Sequence, residues 1–378
     1  MALRILILGA GFSRPAGLPL GAELFQEIRR TAHAKYGAGN HLESDLGRYL
    51  EYMSACEGKS LSADEVDYEE FLAFLDVEHF LGLKGADTWS EDGNETQLIV
   101  KHAIVDVLHQ RTPSSPPQLY RKLASKLDTR DFVISFNYDT LLESALEAEG
   151  IPYRLFPNRY SRITRASGIV DNSKDELVVL KLHGSIDWCD RTNYGRQISA
   201  LVGSSSSLLK QHPIFGDNPI VKSQLLTDGP RSKDDLLSNI YRVDDLAPLI
   251  ALKYWQWCPL ILHPSQTKLF HARTLRDFWW GIQKRGGLNL SIGVIGYSLP
   301  TYDEYVRQTL FHMFSNYTEV APDLEVRGQR KAPIRILDYA PASDSGADIL
   351  GRYRFADWQN TELSLKGFSE ETTDWLFA

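Results

Sequence analysis

The chain has 378 residues, 43% of them hydrophobic and 24% charged, with a formal net charge of −8. That is enough apolar material for a sizeable core in a large domain with insertions, and the acidic balance argues against a broad basic face for nucleic acid. No run approaches the ~18 apolar residues of a membrane span, the first residues lead into a strand without the pattern of a secretory leader, and Cys56, Cys189 and Cys258 are too few and too scattered for a disulfide framework or a structural zinc site, so a cytoplasmic setting is expected.

In chain order, residues 3–8 (Leu-Arg-Ile-Leu-Ile-Leu) read as a strand buried on both faces, as in parallel sheets. Leu24, Phe25 and Ile28 share one face of a helix over 21–36. Helices follow over 66–83 and 95–110, with the polar, loop-like TWSEDGNE between them. Pro113, Pro116 and Pro117 stop that run before another helix over 116–127. The span 31–115 thus reads as an all-helical insertion. Strand signals return at 131–136, then a helix over 139–149 and a strand at 177–182. Residues 190–245, with GSSSS at 203–207, carry few periodic signals and read as loops or a cover. Beyond them the spacing predicts a strand at 259–263, a helix at 267–285, a strand at 289–296 and a helix at 302–316 with a Thr301–Glu304 capping box. A strand at 334–338 and a short terminal helix capped by Ser369 complete the series. Strands alternating with helices imply an α/β fold. The expected architecture is a Rossmann-like parallel sheet with helices on both faces, formed by 1–30 and 116–378, with the helical insertion at 31–115 and a loop-rich one near 190–245.

Four strand exits carry the candidate chemistry. Gly9-Ala10-Gly11-Phe12-Ser13 leaves the first strand. Its glycines permit either a close approach to a pyrophosphate or simply a tightly packed turn, and the full GxGxxG is absent because Arg14 stands where the third glycine would be. No acidic residue ends a second strand about 20 positions on, which argues against an ordinary NAD dehydrogenase. Phe136-Asn137-Tyr138-Asp139 follows the next buried strand, where Asn137 and Asp139 face a ligand or cap the following helix. Lys181-Leu182-His183-Gly184-Ser185 and Gly296-Tyr297-Ser298-Leu299-Pro300-Thr301-Tyr302-Asp303 are the third and fourth exits. All four can open on one crevice.

In this order GAGFS (9–13), FNYD (136–139), LHG (182–184) and the GYS turn (296–298) resemble the sirtuin-like superfamily, whose members carry GAGxS, QNxD and a catalytic HG. The resemblance spans most of the chain, with about 31–115 and 190–245 unmatched. The sequence looks most like the bacterial sirtuin-like domains of antiphage defence, which hydrolyse NAD instead of deacylating proteins. Two departures set it apart from deacylases: three scattered cysteines cannot build their four-cysteine zinc site, and RPAGLPLGAEL after Ser13 lacks the Phe-Arg of their cofactor loop.

The resemblance implies NAD as substrate and no zinc. Asn137 would position the ribose and attacking water, His183 would act as base, and Asp139 would orient the nicotinamide ribose or offset the cation. Gly9, Ala10, Gly11, Phe12 and Ser13 would hold the pyrophosphate, and Gly296, Tyr297 and Ser298 the adenosine half. The implied activity is that of an NAD nucleosidase, releasing nicotinamide and ADP-ribose as the effector of an abortive antiphage system. Its control would come from homo-oligomerisation or a HerA-type ATPase partner. Such cleavage expels a neutral pyridine and makes no demand for the paired carboxylates of ordinary glycosidases. Three alternatives stay open: an NAD or ADP-ribose sensor, a subunit of a defence complex with nuclease activity, and a deacylase. Neither membrane association nor direct nucleic-acid binding is expected of the isolated chain.

Overall fold

The computed structural model describes residues 3–84, 93–163, 168–192, 194, 211–227, 235–268, 274–341 and 346–378. The strands that matter for the site are β1 (Arg4–Leu8), β2 (Phe132–Ser135), β3 (Tyr153–Leu155), β4 (Leu177–Lys181), β5 (Gly184–Asp190), β6 (Ser223–Leu225), β7 (Ile240–Val243), β8 (Pro259–Ile261), β9 (Ser291–Ile295), β10 (Ile334–Leu337) and β11 (Thr361–Ser364). Between β1 and β2 come α1 (Ala10–Ser13), α2 (Gly21–Tyr36), α3 (His41–Glu57), α4 (Tyr68–Leu81), α5 (Glu95–Arg111) and α6 (Gln118–Ser125). After β2 come α7 (Leu141–Ala148), then α8 (Glu304–Glu319), α9 (Ala347–Arg352) and α10 (Glu370–Leu376).

The apolar run of β1 lies at the middle of a seven-stranded sheet ordered β11-β10-β9-β1-β2-β4-β3, parallel throughout. From β1 the chain first builds outward through β2. It later returns to the other side of β1 with β9, β10 and β11. Right-handed crossovers taken in opposite directions place the connecting helices on opposite faces, α6 and α7 on one and α8 on the other. The order of strands reverses at β1, and the crevice beyond the carboxyl ends of its neighbours is where such sheets bind ligands.

A second, antiparallel sheet runs β8-β5-β7-β6. Its strand β5 starts directly after Leu182-His183, so one stretch of chain leaves the parallel sheet and enters the other. This second sheet stands between two cores. Trp188, Leu226 and Ile240 join the core of the main sheet. Ile186, Cys189, Val243 and Ile261 join the core of α2–α5. Ile186 and Trp188 have the same parity yet serve opposite cores. The register of β5 on β8 shifts between Cys189↔Pro259 and Gly184↔Ile261, the kind of irregularity that turns a strand over. Helix α5 is the centre of the helical layer, buried from Thr96 to Leu108, and its start is closed by a reciprocal capping box of Asn94 and Gln97.

Ser369 caps α10 as its sequence suggests, with Thr372 as the reciprocal partner. Two expectations do not hold. Within 267–285, residues 274–285 form two short 3-10 turns, Arg276–Trp279 and Ile282–Lys284, instead of a helix. Gly281, at φ 83, adopts the left-handed conformation between them and breaks any continuous helical path. The Thr301–Glu304 capping box does not form either. Helix α8 begins without a side-chain cap because Asp303, at its cap position, bonds elsewhere. The polar stretch 190–245 contributes β6 and β7, whereas GSSSS at 203–207 lies outside the described residues.

Candidate functional site

The four exits form one hydrogen-bonded row. Leu182 N donates to Ser135 O (3.0 Å), Phe136 N to Leu8 O (2.9 Å), Gly9 N to Ile295 O (3.0 Å) and Gly296 N to Leu337 O (2.7 Å). Each bond continues a strand pairing one step past the strand, which brings dispersed motifs to a common edge. At its middle the first and fourth turns touch backbone to backbone. A Cβ on Gly9 would lie 2.5 Å from Tyr297 Cα, and one on Gly296 would lie 2.4 Å from Gly11 C. Gly11 N donates to Gly296 O (2.9 Å) and Phe12 N to Gly9 O (2.9 Å). Close packing between two turns thus accounts for Gly9, Gly11 and Gly296, and the amides of Gly9, Gly11 and Phe12 are already paired within the protein. Ala10 is exposed at the start of α1.

A chain of side-chain bonds links the first and second exits. Asn137 Nδ2 donates to Gly9 O (2.9 Å) and to Ser13 Oγ (3.0 Å), and Ser13 Oγ donates to Asp139 Oδ2 (2.8 Å). Asp139 Oδ1 accepts from Leu141 N (3.0 Å), so this carboxylate also steadies the start of α7. Beneath it, Lys181 Nζ donates to Asp139 O (2.6 Å) and pairs with Glu143 (2.8 Å). Both charged side chains are buried, and their mutual satisfaction is what makes that burial tolerable.

His183 sits in an aromatic wall, edge-on to Phe136 with centroids 5.0 Å apart, and its Nε2 lies 2.7 Å from the Tyr305 hydroxyl. Phe136 is in turn stacked on Tyr297 at 4.4 Å. Burial pushes the imidazole down to about 3, and nearby Lys268 adds to the shift against the pull of Asp303. The ring is therefore neutral near pH 7. Asp303 accepts from the Tyr297 hydroxyl (2.6 Å) and pairs with Lys268 Nζ (2.6 Å). Burial would raise its carboxyl, but Lys268 and the neighbouring donors hold it below the usual range.

These groups line one cleft of about 400 Å³, bounded by Ala10, Gly11, Ser13, Asn137, Tyr138, Asp139, His183, Lys268, Gly296, Tyr297, Ser298, Asp303 and Asp338 among others. The cleft brings together all the candidate residues except two. Gly9 lies beneath the turn, and the Phe12 ring faces the core between Tyr120 and Phe368. The opposite wall is the first turn of α4, with Tyr68 and Glu69. That wall is tied to the loop bearing Lys268 through Asp76, which accepts from His263 Nε2 (2.8 Å), Thr267 Oγ1 (2.7 Å), Gln97 Nε2 and Ser265 Oγ. Asp76 is fully buried, and these donors occupy a carboxylate's main acceptor positions.

Sequence reasoning missed Glu69, Lys268 and Asp303 as cleft residues and Tyr305 as the partner of His183. Asp303 ends the fourth exit and is legible there as a polar residue. The others come from ordinary helical or loop patterns and carry no local signal. Among the described residues no group of three or more His, Cys, Asp or Glu stands where it could hold a metal ion, and no helix is long and apolar enough to cross a membrane.

No curated protein matches the chain. Similar solved structures include a sirtuin from a study titled "The Structural basis of Sirtuin Substrate Affinity", at 15% identity and a TM-score of 0.31, covering 99% of this chain and 92% of that one. Another is Sir2Tm bound to a propionylated peptide, at 14% identity and a TM-score of 0.28, covering 99% of this chain and 91% of that one. Likeness at this level adds nothing to the fold read from the sheet itself. Residues 131–210 match the family model of a SIR2-like domain, which supports a sirtuin-like domain over the stretch that carries Asn137, Asp139 and His183.

Proposed function

We propose that the protein is an NAD nucleosidase that hydrolyses NAD to nicotinamide and ADP-ribose. The observation that carries this reading is the convergence of Asn137, Asp139 and His183 in one cleft at the strand-order reversal. The SIR2-like match over 131–210 supports NAD-dependent activity in general.

In this reading the dinucleotide lies across the row of exits. Ala10 and Gly11, with the hydroxyl of Ser13, meet the pyrophosphate. Gly9 supports that turn from below and Phe12 anchors it in the core. Gly296, Tyr297 and Ser298 border the adenosine half. Asn137 and Asp139 face the nicotinamide ribose, and neutral His183 orients one of its hydroxyls. The chemistry asks little acid catalysis, because the leaving group departs neutral. The protein's task is to hold the ribose and to oppose positive charge as it develops at the anomeric carbon. Asp139 and Asp303 supply the carboxylates for this. No zinc is required for these steps.

The biological setting proposed from the resemblance is a toxic effector in bacterial antiphage defence, held silent in the cytoplasm until assembly of copies or a partner ATPase switches it on. The depressed basicity of His183 favours a second reading, an NAD or ADP-ribose sensor that binds without turnover.

The test is to incubate the purified chain with NAD across protein concentrations and separate the products. Nicotinamide and ADP-ribose in equal amounts, falling about 100-fold or more in Asn137→Ala, are expected. NAD binding with no release of nicotinamide at any concentration would overturn a hydrolase that the chain forms by itself, leaving the sensor or an enzyme that awaits its partner.

A further inference from the structure

Hydrolysis must dispose of a proton, and His183 is poorly suited to take it. Its ring is buried, neutral, and engaged at Nε2 by Tyr305. Such an imidazole can orient a hydroxyl but is a weak base. Glu69 stands across the cleft in the first turn of α4, on the helical layer, and lines the same space as Asn137, Tyr138 and His183. Its Oε2 is buried and has no hydrogen-bond partner among the described residues. A buried acceptor in that state costs free energy until something donates to it. Its backbone is fixed: Glu69 O accepts from Gln266 N (3.4 Å), the adjacent Glu70 accepts from the Tyr302 hydroxyl (3.1 Å), and Asp76 ties the same helix to the 263–267 loop.

We propose that Glu69 is the general base of this cleft, holding the attacking water at its unpartnered oxygen and accepting the proton that water loses. The inference rests on the NAD-hydrolysis reading. The bond between the anomeric carbon and the nicotinamide nitrogen breaks, and its electron pair stays with nicotinamide, which leaves neutral. The water oxygen forms the new bond to that carbon. Its proton passes to the Glu69 carboxylate and then to solvent.

The groups facing Glu69 set its proton affinity. They are Lys268 from the loop after β8, Asp303 and Tyr305 at the start of α8 with Tyr302 just before it, Tyr138 and His183 from the strand exits, and Asp67 and Tyr68 at the start of its own helix. Burial raises the Glu69 carboxyl, Lys268 opposes this, and Asp303 and Asp67 add to the rise. A glutamate raised in this way is a better proton acceptor at neutral pH than a surface one.

The experiment compares wild-type full-length chain with Glu69→Gln, which keeps the shape and removes the basicity. NAD affinity is measured by calorimetry, and nicotinamide release is followed from pH 4 to 8. The expected result is affinity within about threefold of wild type, turnover lower by about 100-fold or more, and loss of the acidic limb of the pH–rate profile. Azide, a nucleophile that needs no base, should restore nicotinamide release in Glu69→Gln and leave an ADP-ribosyl azide. Glu69→Asp, which retains a carboxylate, should keep the acidic limb at reduced rate. Wild-type turnover in Glu69→Gln overturns the assignment and leaves the hydrolase reading intact. So does slow turnover that azide fails to rescue while NAD still binds. Absence of nicotinamide release from the wild-type chain at every protein concentration overturns both for the chain acting by itself, and that absence itself tells the two failures apart.

Discussion

Gly296 is the residue on which the centre of the cleft turns. It adopts φ 60, and a Cβ there would meet the Gly11 and Phe12 backbone at 2.4 Å, so neither its conformation nor its surroundings admit a side chain. Gly296→Ala should lower stability by about 2–4 kcal/mol, read as a shift of the urea midpoint at constant slope. A midpoint unchanged from wild type would mean that the two turns can separate freely. Buried histidines set a second expectation. His102 and His183 are both pushed down to about 3 by burial, against about 6.5 for a free imidazole. Between those values the unfolded chain binds protons that the folded chain refuses. Their contribution is therefore intact above about pH 6.5 and is lost as pH falls towards 3, by up to about 1.4 kcal/mol per unit for each ring. His102 lies outside the cleft, bonded to Trp257 O. His102→Gln should flatten the dependence of urea stability on pH in that window by one proton, and an unchanged slope would refute the neutral buried state.

Helix α4 and the loop after β8 act as one element because Asp76 joins them. Removing that carboxylate leaves four donors without their acceptor, and Asp76→Ala should cost about 3–5 kcal/mol. It should also speed hydrogen exchange at 263–268 beyond the rest of the chain, measured by mass spectrometry; uniform exchange would show that the loop is held some other way. Burial at the scale of single elements also decides which of them are legible in the sequence. β1, β2, β4 and β9 are buried on both faces and appear as near-unbroken apolar runs followed by glycine or polar residues, so both the parallel sheet and its exits can be read from the residues. β3 (YRL) and β11 (TELS) are the sheet's two edges, short and partly solvated, and their polar composition hides them. β6 and β7 are hidden in the same way within a polar stretch. Glu69 and Glu70 look like the acidic first turn expected of any helix. Nothing local distinguishes Glu69 from that role, because only packing against the Lys268 loop turns it to the cleft. Tyr305 is likewise one aromatic on an amphipathic helix until His183 meets it.

For the whole molecule, the decisive arrangement is a second sheet shared by two cores. Ile186 and Cys189 of β5 pack with α2–α5, and Trp188 between them packs with the main sheet. The helical layer and the parallel sheet should therefore unfold together, giving one calorimetric transition whose van't Hoff and calorimetric enthalpies agree. Two resolved transitions would mean that the helical layer stands alone. A cleft so assembled also depends on the order in which the chain is made. β1 precedes the other strands of its sheet and becomes the middle one, yet its neighbour β9 follows long after it in the chain, as do Gly296, Asp303 and Tyr305. A nascent chain on the ribosome holds the Gly-Ala-Gly turn without the backbone that braces it, and His183 without its tyrosine. On the proposed reading, a protein that destroys a cofactor every cell needs cannot begin to do so until translation has passed Tyr305.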